Sequence, residues 1–151
     1  MITFDDFTLI EGNITNGYEN LNWANVGYVS KYKYNTSTGY YTAAISGNYS
    51  AYNNGGNPIA IQARNGTFSL KSLVLAAAWN DNLSIILSIN SIHTPMTFNF
   101  TLNVFHPTFF NFTGFDLINE IRFTAVGGTK NPNVHVSGTQ FAFDNLCIIY
   151  T

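Results

Sequence analysis

Aromatic and amide side chains, rather than nucleophiles or metal ligands, are the groups in this sequence best suited to touch a ligand. Tyr18, Trp23, Tyr28, Tyr32, Tyr34, Tyr40, Tyr41 and Tyr52 all fall in or at the end of its first third. A Tyr or Trp plane can stack on the face of a sugar ring while neighbouring amides hydrogen-bond the hydroxyls. An apolar platform with a few fixed polar groups is the usual anatomy of a small-ligand site. Tyr28, Tyr32 and Tyr34 share strand parity and are expected to line one face. Trp23, Tyr52 and Asn53 read as material beside it, and these six make the expected ligand-binding set. Trp23 and Trp79 carry a second assignment, as anchors of a core.

Catalytic signatures are missing from the sequence. His93, His106 and His135 have no helical metal spacing and no HExxH arrangement. There is no Gly-x-Ser-x-Gly elbow and no phosphate-binding loop. A glycosidase needs two carboxyl groups opposed across a cleft, and the sequence does not oppose any two of its eight acidic residues. No enzyme activity and no organic cofactor are expected. The single cysteine, Cys147, excludes an intrachain disulfide and a multi-cysteine zinc cluster. Leu146 and Ile148 beside it predict a strand and a buried, inert thiol.

Seven asparagines fit the N-linked acceptor rule: Asn13, Asn35, Asn48, Asn65, Asn82, Asn99 and Asn111. That is about twice what the composition would yield by chance. Asn99 is expected on the polar face of a strand and most of the others near turns, where a bulky sugar leaves a core intact.

The bulk numbers restrict the partners. Charged residues are 9% of the 151, and Lys plus Arg total six. Too few cations exist to neutralise a run of phosphates, which argues against nucleic acid and anionic membrane surfaces. No apolar run of about 18 residues is present, so membrane insertion is not expected. A polar, nearly uncharged surface suits a neutral glycan, or a coat of attached sugar that replaces charge as the source of solubility. Met1 to Asp5 reads directly into a strand; if the chain is secreted, its leader has been removed and Met1 is a cloning start.

Period-two alternation then supplies the elements that must position these groups. Met96, Phe98, Phe100, Leu102 and Val104 alternate with Thr97, Asn99, Thr101 and Asn103, predicting a strand with one buried and one wet face. Leu83 to Ile89 and Ile121 to Ala125 alternate in the same way. Further strands are predicted over 2–4, 26–34, 40–46, 59–64, 67–71, 108–112 and 140–150. Residues 73–79 are predicted as a central strand apolar on both sides. Turn signals at Asn16-Gly17, Asn65-Gly66, 53–58 and Gly127-Gly128 separate them. Many strands at spacings of roughly ten residues predict an all-β fold: a jelly-roll β-sandwich of two antiparallel sheets, one domain over 1–151.

Several ordered motifs carry a resemblance. They include Ile2-Thr3-Phe4-Asp5-Asp6, Leu21-Asn22-Trp23, Ala76-Ala77-Ala78-Trp79-Asn80-Asp81, Ile121-Arg122-Phe123 and Phe141-Ala142-Phe143-Asp144-Asn145-Leu146. The chain resembles a family of secreted β-sandwich domains of fungal-type extracellular and bacterial exported proteins, similar to galactose-binding and carbohydrate-binding jelly rolls. That resemblance implies a structural calcium tying the first strand to the last. The matching positions are Asp5 or Asp6 and Asp144, with Glu11 able to join. The resemblance and the composition together imply an extracellular or cell-surface protein. Two functions compete: a glycosylated structural subunit that assembles with copies of itself, slightly favoured by the sequons and the low charge, and a carbohydrate-binding module that recognises a neutral cell-surface polysaccharide through the Tyr-rich face.

Overall fold

The computed structural model describes residues 1–34 and 37–151. In chain order its strands are β1 (Glu11–Asn13), β2 (Leu21–Ala24), β3 (Val26–Ser30), β4 (Tyr49–Asn53), β5 (Ile59–Ala63), β6 (Phe68–Ala77) and β7 (Asn80–Asp81). They continue as β8 (Leu83–Ser91), β9 (Met96–Leu102), β10 (Thr108–Asn111), β11 (Ile118–Val126), β12 (Thr129–Lys130) and β13 (Phe141–Tyr150). One short helix, α1 (Gly39–Ala43), lies between β3 and β4.

Two antiparallel sheets face each other. The front sheet runs β1-β3-β4-β13-β6-β10 and the back sheet β2-β5-β11-β8-β9. A single pairing, Ile118 with Phe68, joins them, and β7 with β12 forms a separate ribbon. This is the sandwich that the alternation predicts. On β8, Leu83, Ile85, Leu87 and Ile89 are at most 1% exposed, while Ser84, Ile86 and Asn90 face outward. Between the sheets Phe123, Phe141 and Phe143 interlock with Phe4, all of them fully buried. Burial of each such ring contributes roughly 1.5–3 kcal/mol.

Three strand expectations are corrected. Residues 67–71 and 73–79 are not two strands; β6 runs unbroken from Phe68 to Ala77. Its inner face carries Leu73, Leu75 and Ala77. Its outer face is apolar too, because α1 packs over it and buries Ala76 and Ala78 completely. Residues 40–46 form α1 instead of a strand. The Thr38 side chain caps the helix by accepting from the Tyr41 N–H, the capping that Thr favours at a helix start. Gly39 permits the close approach: a Cβ there would lie 1.7 Å from the Ala77 carbonyl oxygen. The 2–4 segment makes only one bridge, Ile2 with Leu146, because Phe4 turns into the left-handed region at φ 61° and breaks the ladder.

Candidate functional site

The Tyr-rich segment folds around α1 and sorts its rings into an inner cage and an outer platform. Tyr40 points inward and is 4% exposed. Tyr34 stacks on it at 5.7 Å, and Tyr52 and Trp79 each meet it edge-on at 5.4 Å. Burial pushes the Tyr40 hydroxyl far above its ordinary ionisation range, with Tyr34 and Tyr52 adding to the shift. Burial and then Glu11 raise Tyr52.

Outside the cage, Tyr32 and Tyr41 are 63% and 47% exposed. Their rings meet edge to face at 6.3 Å and 76°. Lys31 braces both, its Nζ lying 5.3 and 5.6 Å from the two ring centroids and donating to the Gly47 carbonyl at 2.7 Å. Two exposed rings held by one cation present aromatic surface to solvent in a fixed arrangement.

The shared face expected for Tyr28, Tyr32 and Tyr34 does not form. β3 ends at Ser30 and the chain turns, with the Lys33 N–H donating to the Ser30 carbonyl, so strand parity is lost before Tyr32. Tyr28 is buried and stacks on Phe7 at 3.7 Å. Tyr34 joins the cage and Tyr32 joins the platform. Trp23 is a core anchor, 5% exposed, with its indole N–H donating to the Tyr18 carbonyl. Asn53 is fully buried and structural. It accepts from the Phe141 N–H at 2.7 Å and donates to the Asn57 and Thr139 carbonyls. Tyr52 is half-buried. Of the six expected residues, only Tyr32 is exposed, and Tyr41 and Lys31 are its partners. The signal for that pairing is Thr38-Gly39 ahead of Tyr40-Tyr41: a capped helix start sends adjacent tyrosines in different directions, one inward and one outward.

The four expected calcium ligands go to separate tasks. Asp6 accepts from the Tyr18 hydroxyl at 2.7 Å, and Glu11 pairs with Lys33. Asp5 accepts from the Asn48 and Tyr49 N–H groups at 2.8 and 3.3 Å. Asp144 accepts from the Ser46 N–H and hydroxyl and from the Asn145 N–H. Each of these carboxylates thus has N–H, O–H or ammonium partners within the protein. Among the described residues, no group of three or more His, Cys, Asp or Glu is gathered as a metal site. Burial pushes the Asp144 carboxyl up to about 6, against the pull of its hydrogen bonds.

Asn13, Asn48, Asn65, Asn82, Asn99 and Asn111 are all exposed; Asn35 lies outside the described residues. His93, His106 and His135 are exposed. Cys147 is half-buried instead of enclosed, because the register of β13 shifts on both sides of it.

No family model and no curated protein matches this chain. Solved structures do match its fold. A DUF4465 family protein from Bacteroides caccae superposes with a TM-score of 0.63 at 11% identity, covering 93% of this chain and 86% of its own. A second DUF4465 family protein, from Bacteroides ovatus, gives 0.57 at 10% identity, covering 93% and 82%. TmCBM61, solved in complex with beta-1,4-galactotriose, gives 0.51 at 8% identity, covering 87% and 88%. The chain therefore shares a β-sandwich fold with these domains. At such identities the likeness is one of architecture.

Proposed function

We propose that this chain is an extracellular carbohydrate-binding domain that holds a neutral polysaccharide on the Tyr32–Tyr41 platform and catalyses nothing. The observation that carries the reading is the pair of exposed rings braced by Lys31. The nearly uncharged surface supports it, since a neutral glycan gains nothing from long-range steering. The fold adds support, because a module of the same architecture was solved holding a galactotriose. On that ground binding is preferred to the glycosylated assembly subunit, for which the sequons and the low charge speak.

Affinity electrophoresis through gels containing β-1,4-galactan, β-glucan, mannan or xylan tests the reading. The unglycosylated protein is expected to be retarded in at least one gel. Tyr32→Ala/Tyr41→Ala is expected to weaken that retardation by about ten-fold or more, as each stacked ring contributes about 1 kcal/mol. Its circular dichroism should stay unchanged, because both rings lie outside the core. Equal mobility of the wild-type protein in all four gels would sink the proposal.

A further inference from the structure

The outer face of the back sheet carries a second surface, built from residues far apart in the chain. Strand register brings Asn22, Gln62 and Glu120 into one row across β2, β5 and β11. The next row is Ala24, Ala60 and Arg122. Because Ala24 and Ala60 carry only methyl groups, the sheet surface dips between the longer side chains around them. The resulting groove has a volume of about 410 Å³, within the range of small-ligand sites.

The polar groups of this groove are arranged for hydroxyls. Arg122 is held against Glu120 through two N–H groups, with Nη2 to Oε2 at 3.1 Å. The Arg122 side chain is 63% exposed, so its remaining N–H groups reach the groove. Among the described residues, neither the Asn22 nor the Gln62 amide is spent on a protein hydrogen bond. Donors and acceptors thus alternate across three strands over an apolar floor, and the only two charges cancel. A carboxylate-bearing ligand would reach Arg122 only beside the Glu120 carboxylate that already neutralises it, and a cationic one would meet Arg122. A neutral ligand with neighbouring hydroxyls, each both donor and acceptor, meets neither penalty.

We infer that this groove is a second binding subsite for a neutral, polyhydroxylated chain, with Asn22, Gln62, Glu120 and Arg122 as its polar contacts. The inference rests on the carbohydrate-binding reading for the ligand class, but on none of the platform residues.

Asn22→Ala/Gln62→Ala removes the two amides from the surface without touching the core. Ala24→Ile fills the floor at a position where a β-branched residue suits a strand. Both variants enter the same four gels, beside a fifth containing polygalacturonate. Amide shifts of the wild type are followed by NMR during titration with oligosaccharide from whichever neutral polymer retards it. Asn22→Ala/Gln62→Ala is expected to bind about ten-fold more weakly, the loss expected for two hydrogen bonds, and Ala24→Ile to bind more weakly as well by closing the floor. Gln62 and Arg122 should shift in the wild type and still shift in Tyr32→Ala/Tyr41→Ala. Normal retardation of both groove variants, with shifts confined to Tyr32 and Tyr41, would overturn the groove and leave the platform standing. No retardation of the wild type anywhere would remove both. Polygalacturonate binding as strong as neutral binding would overturn the charge argument.

Discussion

The two flanks of the sandwich are closed in different ways. On the flank where β1 and β2 lie, the N-terminal strap inserts Phe4 between the sheets, edge-on to both Trp23 and Phe143. Polar clasps lock the strap in place: Asp6 with the Tyr18 hydroxyl, and Asp5 with the N–H groups of Asn48 and Tyr49. On the flank where β9 faces β10, the closure is a row of phenylalanines. Phe100 meets Phe110 at 4.6 Å and Phe98 meets Phe115 at 5.4 Å, yet Phe98 remains 38% exposed. Apolar contact alone is non-directional, whereas the clasps, although solvent-exposed, are directional hydrogen bonds that add to the fully buried Phe4. The strap flank is therefore the rigid one, and the α1 platform sits on the sheet that it stabilises.

The largest way to break this comparison is Phe4→Ala. Phe4 is fully buried and holds a left-handed backbone, φ 61°, that the surrounding structure sustains. Truncation should cost about 3–5 kcal/mol, the range for a buried phenylalanine, read as a lowered urea midpoint. A loss below about 1 kcal/mol would mean that the strap is an accessory and the two flanks are equivalent.

A smaller effect comes from pH. Asp144 lies on the outer face of the front sheet, opposite Val74 and fully buried. Burial raises its carboxyl to about 6 in the folded protein, against roughly 3.9 in the unfolded chain. A raised acid opposes folding once it ionises. Its favourable contribution is complete below about pH 4 and is lost as pH rises through 6. Melting temperature should therefore rise on acidification from pH 7 to pH 5, by the equivalent of about 1 kcal/mol, with the full contribution of about 2–3 kcal/mol regained only below about pH 4. Asp144→Asn should flatten the slope. Asp116, lowered by Ser69 and Lys71, acts in the opposite sense below pH 4, outside this window. A melting temperature that falls steadily from pH 7 to pH 5 would contradict the assignment.

The same contrast separates what the sequence makes legible from what it hides. β8 and β9 are readable because their side chains alternate strictly and each strand has one wet face. The sandwich follows from such strands alone. Tyr40 to Ser46 has the composition of a strand, but Thr38 and Gly39 start a helix there, and the choice depends on a backbone approach to Ala77 made possible by tertiary packing. The common face of Tyr28, Tyr32 and Tyr34 fails for a related reason: parity holds only while the strand continues, and β3 stops at Ser30. The Asn22–Gln62–Glu120 row is invisible in sequence, since only the register of β2, β5 and β11 aligns three strands that are widely separated in the chain.

The smallest expected effect lies at the β9–β10 flank. Phe98 faces the interior side of its strand, as its alternation predicts, but β9 is an edge strand and the ring is left partly in water. Much of its transfer energy is thus never gained, and the neighbouring Phe112 and Phe115 can close over a void. Phe98→Ala should cost about 1 kcal/mol, far less than Phe4→Ala. Hydrogen exchange should show β9 amides opening at lower free energy than those of β13, which lies between two strands of the front sheet. Equal protection of β9 and β13, or a Phe98→Ala cost as large as that of Phe4→Ala, would mean that the phenylalanine row is a clasp as specific as the strap and that both flanks are rigid.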